Sequence, residues 1–311
     1  MRPVLTVLTV IIALWYAACL PMNVREVLTE AERAGVVIVP AAAVDRIDAH
    51  TMPLILNNIS ALGGSWSQDR PRLPAPHQIG QALWDSTVTE ALFNRKGEVS
   101  NRNLLYHAGT TLFPTLLGFL IGTGLGVLLA VGIVHSRAMD MSVMPWAIIS
   151  QTIPIVALAP MIIVVLNAAG IQGLLPKAII SAYLSFFPVV VGMVKGLRSP
   201  DAMQLDLLRT YNASSPQGFW KLRLPASVPY LFASLKIAIS AALVGAIVGE
   251  LPVQQGGLGA WMLAKSYYGQ TAQIWAALIV AAGMAGLLVV LIGWFERRTL
   301  RRMGAQMGVA T

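Results

Sequence analysis

Long apolar runs separated by shorter polar segments dominate this chain of 311 residues. A helix that crosses the roughly 30 Å hydrocarbon core of a bilayer needs about 20 mostly apolar residues. Six runs approach or exceed that length, and each predicts a membrane-spanning helix. The predicted spans are residues 4–20, 109–134, 142–166, 174–194, 228–249 and 274–295. The pattern therefore predicts an all-α, polytopic membrane protein with six transmembrane helices.

Composition and charge agree with this prediction. Apolar residues make up 56% of the chain and charged residues only 12%, against roughly 25% charged residues in soluble domains. The 22 Lys and Arg exceed the 14 Asp and Glu, and outside residues 21–108 the excess lies between the apolar runs. That placement is typical of a polytopic membrane protein and argues against a nucleic-acid binder. With one cysteine and four widely spaced histidines, the sequence predicts no disulfide, metal or cofactor.

Basic residues in the short loops predict the orientation. Five lie in 195–225 and four follow residue 295, whereas 167–173 has none and 251–273 has only Lys265. The long segment 21–108 carries 8 basic and 9 acidic residues, and segments of that length do not determine orientation. Both termini are therefore predicted on the cytoplasmic side, with 21–108 and 251–273 outside.

The first span and the segment after it are the least regular part. Arg2, the apolar run and Cys19 also fit a lipoprotein signal, although Tyr16 disfavours that alternative. Asn23 predicts the start of a helix that Gly35 ends, and residues 36–39 predict a short strand. After Pro76, a further helix is predicted through Ile79, Leu83, Trp84, Val88 and Leu92.

Small residues recur every fourth position in two spans. They are Gly118, Gly122, Gly126 and Ala130 in the second, and Ala238, Ala242 and Ala246 in the fifth. Such stripes let helix backbones approach closely in lipid, so they predict helix packing.

The third span carries proline residues that predict a bend. Proline interrupts the helical hydrogen bonds, and exposed backbone at membrane depth is tolerated only against protein or a water-filled path. Helix packing and a translocation path are the two interpretations of this stretch. The candidate path residues are Ser150, Gln151, Thr152, Pro154 and Pro160.

Two charged residues lie in or beside the fifth span. Lys236 is predicted to reach the interface or to face a polar crevice. Glu250 is predicted to be a charge at the helix end, at the membrane interface, in preference to a gate residue.

The cytoplasmic segment 199–225 contains explicit helix signals. Ser199 is predicted to cap a helix that begins at Pro200 and ends at Asn212, a residue that tolerates the left-handed conformation. A second short helix is predicted from Ser215 to about Leu224. This pair either lies at the lipid interface, anchored by Trp220 and Lys221, or docks into another protein through Tyr211, Phe219 and Trp220.

The same segment resembles the EAA motif of ABC-importer permeases. The order Asp206-Leu207-Leu208, three residues, Asn212, nine residues, Leu222, one residue and Leu224-Pro225 keeps the spacing of that motif. Asp replaces the motif's glutamate, two leucines its alanines, Asn212 its glycine and Leu222 its isoleucine. A wider similarity, over about residues 73–295, is to the branch that transports nitrate, sulfonates, taurine and thiamine-precursor-like compounds. It includes Leu73-Pro74-Ala75-Pro76 and Gly257-Leu258-Gly259.

The resemblance implies a function and a set of partners. The chain would be a bacterial inner-membrane permease that pairs with a second permease subunit, most simply a homodimer. A periplasmic solute-binding protein would deliver a small solute, and two cytoplasmic ATP-binding subunits would drive alternating access. The ATPase-coupling positions are Asp206, Leu207, Leu208, Asn212, Leu222, Leu224 and Pro225. The sequence contains no Gly-Lys dipeptide and hence no Walker-type phosphate loop, so hydrolysis is assigned to the partner and the chain is not predicted to be an enzyme.

The predicted organisation follows from spans and resemblance together. Residues 1–20 are the first transmembrane helix, 21–108 a periplasmic segment, 109–295 a five-helix core containing the coupling loop 199–225, and 296–311 a cytoplasmic tail. Residues 21–70 lie outside the resemblance and receive no function. An ion-gradient-driven secondary transporter is the alternative, although such proteins typically show internal repeats and ionisable residues along the path. A membrane enzyme would need catalytic groups at membrane depth, and none is visible.

Overall fold

The computed structural model describes residues 2–90, 100–253 and 255–303, and within these ranges all regular structure is helical. The helices are α1 (Arg2–Arg33), α2 (Ala43–Asp48), α3 (Thr51–Asn57), α4 (Pro76–Trp84), α5 (Leu104–His135), α6 (Arg137–Ser150), α7 (Ile155–Ala168), α8 (Leu174–Leu197), α9 (Ala202–Thr210), α10 (Ser215–Gly218), α11 (Leu224–Glu250), α12 (Leu258–Tyr267) and α13 (Thr271–Arg302). A 3₁₀ helix (Ile59–Trp66) and two π turns (Asp85–Thr89 and Phe219–Arg223) complete the order.

The predicted spans are present. Among the described residues, five helical stretches are long and apolar enough to cross a membrane: Pro3–Arg33, Leu104–His135, Leu174–Leu197, Ser215–Glu250 and Thr271–Arg302. The pair α6 and α7 makes a sixth when it is counted as one bent span. The prediction of an all-α polytopic fold is confirmed.

The chain divides into two compact units. The N-terminal unit comprises residues 1–106 and 261–280, and the core unit comprises residues 107–260 and 281–311. The predicted periplasmic segment and most of the predicted external loop 251–273 thus belong to the same unit.

In the core unit, α8 and α11 pack through small residues. Ala238, Ala242 and Ala246 of α11 are fully buried, and the Ser181 hydroxyl of α8 donates to the Ala242 carbonyl at 2.6 Å. Helix α8 also packs closely against α5, where a Cβ atom at Gly122 would lie 2.1 Å from the Ser185 Oγ. Both predicted stripes are therefore packing surfaces, because larger side chains would hold these helices apart.

The predicted third span is broken instead of continuous. α6 ends at Ser150 and α7 begins at Ile155, and the two helices meet at an angle of 100°. Pro154 occupies the N-cap of α7, where proline's missing N–H costs nothing. The bend that the prolines predict is confirmed.

In the N-terminal unit, α1 continues well past the predicted end of the first span. Pro21 lies inside the helix, and Asn23 does not begin a new one. The last turns bury Val24 and Leu28 against Ile38 and Leu54, so tertiary packing extends the helix. Gly35, with a φ of 85°, ends it as predicted.

The strand predicted at 36–39 is wrong. These residues have no regular structure, and Val37 is 90% exposed. A strand needs a neighbour for its backbone groups, and here the Asn58 amide takes that role, accepting from the Val39 N–H and donating to the Val39 carbonyl. The helix predicted after Pro76 is confirmed as α4 and the following π turn, although Leu92 lies outside the described residues.

Candidate functional site

The helix α9 is held by caps at both ends while none of its residues is buried. Its N-cap is Asp201, whose carboxylate accepts the Gln204 N–H at 2.8 Å. The predicted cap, Ser199, is wrong by two positions, because its hydroxyl donates to the Gly196 carbonyl at the end of α8. The helix dipole favours a carboxylate at this position.

Asn212 ends α9 in the left-handed conformation, as predicted. Its φ is 53°, and no other non-glycine residue in the described ranges has a positive φ. The Ala213 N–H reaches back to the Leu208 carbonyl and the Asn212 N–H to the Arg209 carbonyl, at 3.0 and 2.9 Å. This bonding pattern is a Schellman motif, in which asparagine is a common substitute for glycine.

The second short helix does not end at Leu224-Pro225. Ser214 caps α10, the π turn Phe219–Arg223 follows directly, and α11 begins at Leu224 without an intervening loop. Pro225 is the second residue of α11 and directly follows the π turn, so it lies within the continuous helical run. The prediction of two separate short helices is therefore wrong for the second, which is the first part of a 36-residue helical run, Ser215–Glu250.

An apolar face of α9 is open to its surroundings. Met203, Leu207 and Tyr211, four residues apart, are 80%, 57% and 77% exposed. Trp220 on the π turn is also exposed, whereas Phe219 is half-buried, stands edge-on to the His135 ring and packs against the core unit. Of the three residues predicted to dock into a partner, Tyr211 and Trp220 are thus exposed, whereas Phe219 packs against the buried cluster of the core unit.

The predicted coupling positions fall into an exposed group and an anchored group. Asp206 and Leu207 are exposed, and Asp206 pairs with Arg209 at 3.0 Å. Asn212 is exposed as well. The half-buried positions are Leu208, Leu222, Leu224 and Pro225, and Leu224 packs against the buried cluster of the core unit.

Two polar contacts lie where the coupling loop joins the rest of the core unit. The Arg223 guanidinium donates to the Leu197 carbonyl at 3.3 Å, and Arg198 pairs with Asp140 at 2.8 Å. Sequence spacing did not indicate either pair, because each joins residues that are distant along the chain.

The candidate path residues lie at the corner between α6 and α7. Ser150 is buried, and its carbonyl accepts from the Tyr183 hydroxyl of α8. Gln151 is half-buried, and its Nε2 atom has no hydrogen-bond partner. Thr152, Pro154 and Pro160 are exposed. The corner therefore presents polar groups at a broken helix.

Lys236 faces a carboxylate, which fits the predicted polar crevice. Its Nζ lies 2.5 Å from Glu296 Oε2 on α13, and the two side chains are 34% and 19% exposed. The pair joins α11 to α13 within the core unit.

Glu250 is fully buried, so its prediction as an interfacial helix-end charge is wrong. Its Oε2 accepts from the Thr111 hydroxyl at 3.1 Å and from the Gly259 N–H at 2.9 Å. Thr111 and His107 of α5 in turn accept from the Leu258 and Gly257 N–H groups at 2.8 and 3.0 Å.

The buried cluster around Glu250 requires glycine at two positions of the Gly257-Leu258-Gly259 turn. A Cβ atom at Gly257 would lie 2.1 Å from Glu250 Cδ, and one at Gly259 would lie 2.2 Å from the Ile247 carbonyl oxygen. Only glycine lets the turn approach the buried carboxylate. The Glu250 carboxylate itself joins the end of α11 to α5 through Thr111.

Comparison with known proteins identifies the family. The family of binding-protein-dependent transport system inner membrane components matches residues 122–305, more than half of the chain. The chain belongs to this family. The resemblance inferred from the residues is thereby confirmed, and the protein is a multi-pass membrane permease.

Curated relatives cover most of the permease. It is 33% identical over 225 residues to a probable ABC transporter permease protein of Haemophilus influenzae, covering 72% of this chain and 84% of the relative. The formylaminopyrimidine transport permease protein ThiX of Halalkalibacterium halodurans is 30% identical over 187 residues, or 60% and 68% of the two chains. The nitrate import permease protein NrtB of Leptolyngbya laminosa is 25% identical over 231 residues, or 72% and 78%.

A solved structure shares the fold. A chain of the inward-facing MetNI methionine ABC transporter superposes with a TM-score of 0.53 and 19% identity, covering 64% of the permease and 95% of that chain. The fold is that of a type I ABC-importer permease.

Proposed function

We propose that the permease is the membrane subunit of an ATP-driven importer. It receives a small solute from a periplasmic binding protein and moves it by alternating access, while separate cytoplasmic ATP-binding subunits hydrolyse ATP. A second copy of the permease completes the pathway. Both termini face the cytoplasm of the inner membrane.

The geometry of α9 carries this proposal. An apolar face made by Met203, Leu207 and Tyr211 is exposed on a helix that is capped at both ends, and such a rigid, unburied face suits a groove in another protein. The chain continues from α9 through α10 and the π turn into α11. A displacement of α9 by a closing ATPase pair therefore acts directly on a membrane helix.

The orientation rests on charge, and packing supports the placement of the two long external segments on the same side of the membrane. The Thr271 hydroxyl donates to the Pro71 carbonyl at 2.5 Å, so the segments 21–108 and 251–273 meet within the N-terminal unit. Two segments in contact outside the spans belong on one side of the membrane, which is the arrangement that the basic loops predict. The broken α6–α7 corner, with its unpaired Gln151 amide, is the proposed solute path.

The test is association with a purified candidate ATP-binding subunit. In Leu207→Asp, a charge replaces a side chain that is 57% exposed, so the fold tolerates it while a docked interface does not. Leu56→Asp in α3, at a leucine that is 65% exposed, is the matched control. Copurification in detergent and ATPase activity stimulated by the loaded binding protein are measured for both.

We expect Leu207→Asp to lose copurification and stimulated hydrolysis by more than about tenfold, whereas Leu56→Asp behaves as the unmodified permease. An unchanged complex with Leu207→Asp would overturn the assignment of α9. Circular dichroism and melting of both variants serve as the check on the fold, and we expect both to match the unmodified permease.

The Lys236–Glu296 pair favours a second candidate, an ion-gradient-driven transporter, because ionisable groups within spans commonly belong to ion paths. Uptake into proteoliposomes separates the two. The importer requires ATP on the side of α9 and stops with vanadate, while the secondary transporter works without ATP and stops with a protonophore.

A further inference from the structure

A polar cavity lies within the N-terminal unit, whereas the coupling loop belongs to the core unit. Its volume is about 660 Å³, and its walls come from residues 67–90, Arg102 and residues 261–273. That volume lies in the range of about 300–1,000 Å³ typical of small-molecule sites. All of its lining residues belong to one unit.

Three glutamine side chains line the cavity with unpaired acceptors. The Oε1 atoms of Gln68, Gln270 and Gln273 are buried and have no hydrogen-bond partner. Gln68 is 5% exposed, and its amide nitrogen lies 3.4 Å from Glu30 Oε2, which leaves the carbonyl oxygen as its free atom. An unpaired buried acceptor costs about 1–3 kcal/mol, so three such acceptors at one cavity favour a ligand that supplies N–H donors.

The charges around the cavity also favour a ligand that is not an anion. Among the described lining residues, Asp69, Asp85 and Glu90 outnumber the cations Arg102 and Lys265. Partial burial also lowers the pKa of Lys265, so the positive side of the balance weakens as pH rises. An anionic ligand would therefore meet lining residues whose charges sum to a net negative value.

An aromatic wall offers a surface for a flat group. Trp261 of α12 lines the cavity, and the Lys265 ammonium lies 4.4 Å from its ring centroid. Indole rings stack on planar, electron-poor groups and attract cations.

We propose that this cavity binds a small solute that carries several N–H donors and is neutral or singly cationic. The Gln68, Gln270 and Gln273 carbonyl oxygens accept its N–H groups, and Trp261 covers its planar part. The site does not depend on the ATP-driven function proposed above, because residues of the N-terminal unit alone form it.

Binding to the purified permease, without ATPase or binding protein, tests the proposal. Radiolabelled cytosine is the donor-rich probe and ethanesulfonate the anionic one, both followed by equilibrium dialysis up to about 10 mM. The variants are Gln68→Leu and Gln273→Leu. Gln172→Leu, at an exposed glutamine in the core unit, is the matched control.

We expect cytosine to bind and ethanesulfonate not to bind. Each cavity variant should weaken cytosine binding by about tenfold, while Gln172→Leu leaves it unchanged. Gln273 is less buried than Gln68, so its variant keeps the test valid if Gln68→Leu does not fold. Absence of cytosine binding, equal binding of the anion, or binding unaffected by Gln68→Leu and Gln273→Leu would each overturn the proposal.

Discussion

Between α8 and α11 the helix backbones touch through alanine, serine and glycine, whereas α9, which follows α8 in the sequence, buries none of its residues. The α8–α11 contact depends on close approach of the two backbones, so every atom added there displaces a helix. Helix α9 depends on its caps, and none of its side chains is buried. Substitutions in the packed helices should therefore destabilise the protein, and substitutions on α9 should change its interactions.

The largest expected effect is at the α5–α8 contact. Gly122→Ala places a Cβ atom 2.1 Å from Ser185 Oγ and 2.8 Å from the Ala182 carbonyl oxygen, so the helices must separate. We expect a loss of about 3 kcal/mol in the free energy of unfolding, measured by SDS titration in mixed micelles. Gly124→Ala is the control, because no atom lies within 4 Å of its added Cβ. Equal stability of the two variants would contradict the packing described.

The next largest effect is at the buried carboxylate. Glu250→Ala removes the acceptor of the Gly259 N–H and one of the two acceptors within reach of the Thr111 hydroxyl, the other being the His107 carbonyl. The expected loss is about 2 kcal/mol in the same titration. Glu250→Gln keeps one acceptor oxygen and should lose less, so a larger loss for glutamine than for alanine would show that the carboxylate does not hold the turn.

A smaller effect is expected at the ion pair between α11 and α13. Lys236→Met leaves Glu296 partly buried without its partner, which should cost about 1–2 kcal/mol because both groups keep some contact with solvent. Adding Glu296→Gln should recover most of that loss. A double-mutant cycle measures the coupling, and additive losses would mean that the two side chains act independently.

The smallest effect is at the cap of α9. Asp201→Ala removes the acceptor for the Gln204 N–H and should destabilise α9 by about 1 kcal/mol, while Asp201→Asn keeps a capping oxygen. Hydrogen exchange of the α9 amides should accelerate with alanine, and the melting of the core unit should not change. A lower melting temperature of the whole protein would show that α9 is part of the packed structure after all.

Local signals in the sequence were sufficient where one residue type determines the backbone. Asn212 ends α9 because asparagine adopts positive φ with little strain, and Pro154 lies where α6 and α7 part. The glycine and alanine stripes likewise indicate packing wherever helices meet in lipid.

Long-range contacts explain most of what the sequence did not reveal. Glu250 finds Thr111, 139 positions away, and nothing local distinguishes a buried carboxylate from one at an interface. Asn23 was predicted to begin a helix, but it is fully buried within α1 and its side chain bonds the backbone of Ser65 and Leu73. The cavity glutamines belong to the same class, since they are brought together from residues 68 and 270–273.

The helical run from Ser215 to Glu250 contains 36 residues, which corresponds to a length of about 54 Å at 1.5 Å per residue. A rod of that length is a lever. If it pivots near its middle by about 5°, each end travels about 2 Å, in opposite directions. One end carries the turn that follows α9, and the other is clamped through Glu250 to the glycine turn. A displacement of one end that is too small to unpack any helix would thus move the other end, across the full thickness of the bilayer.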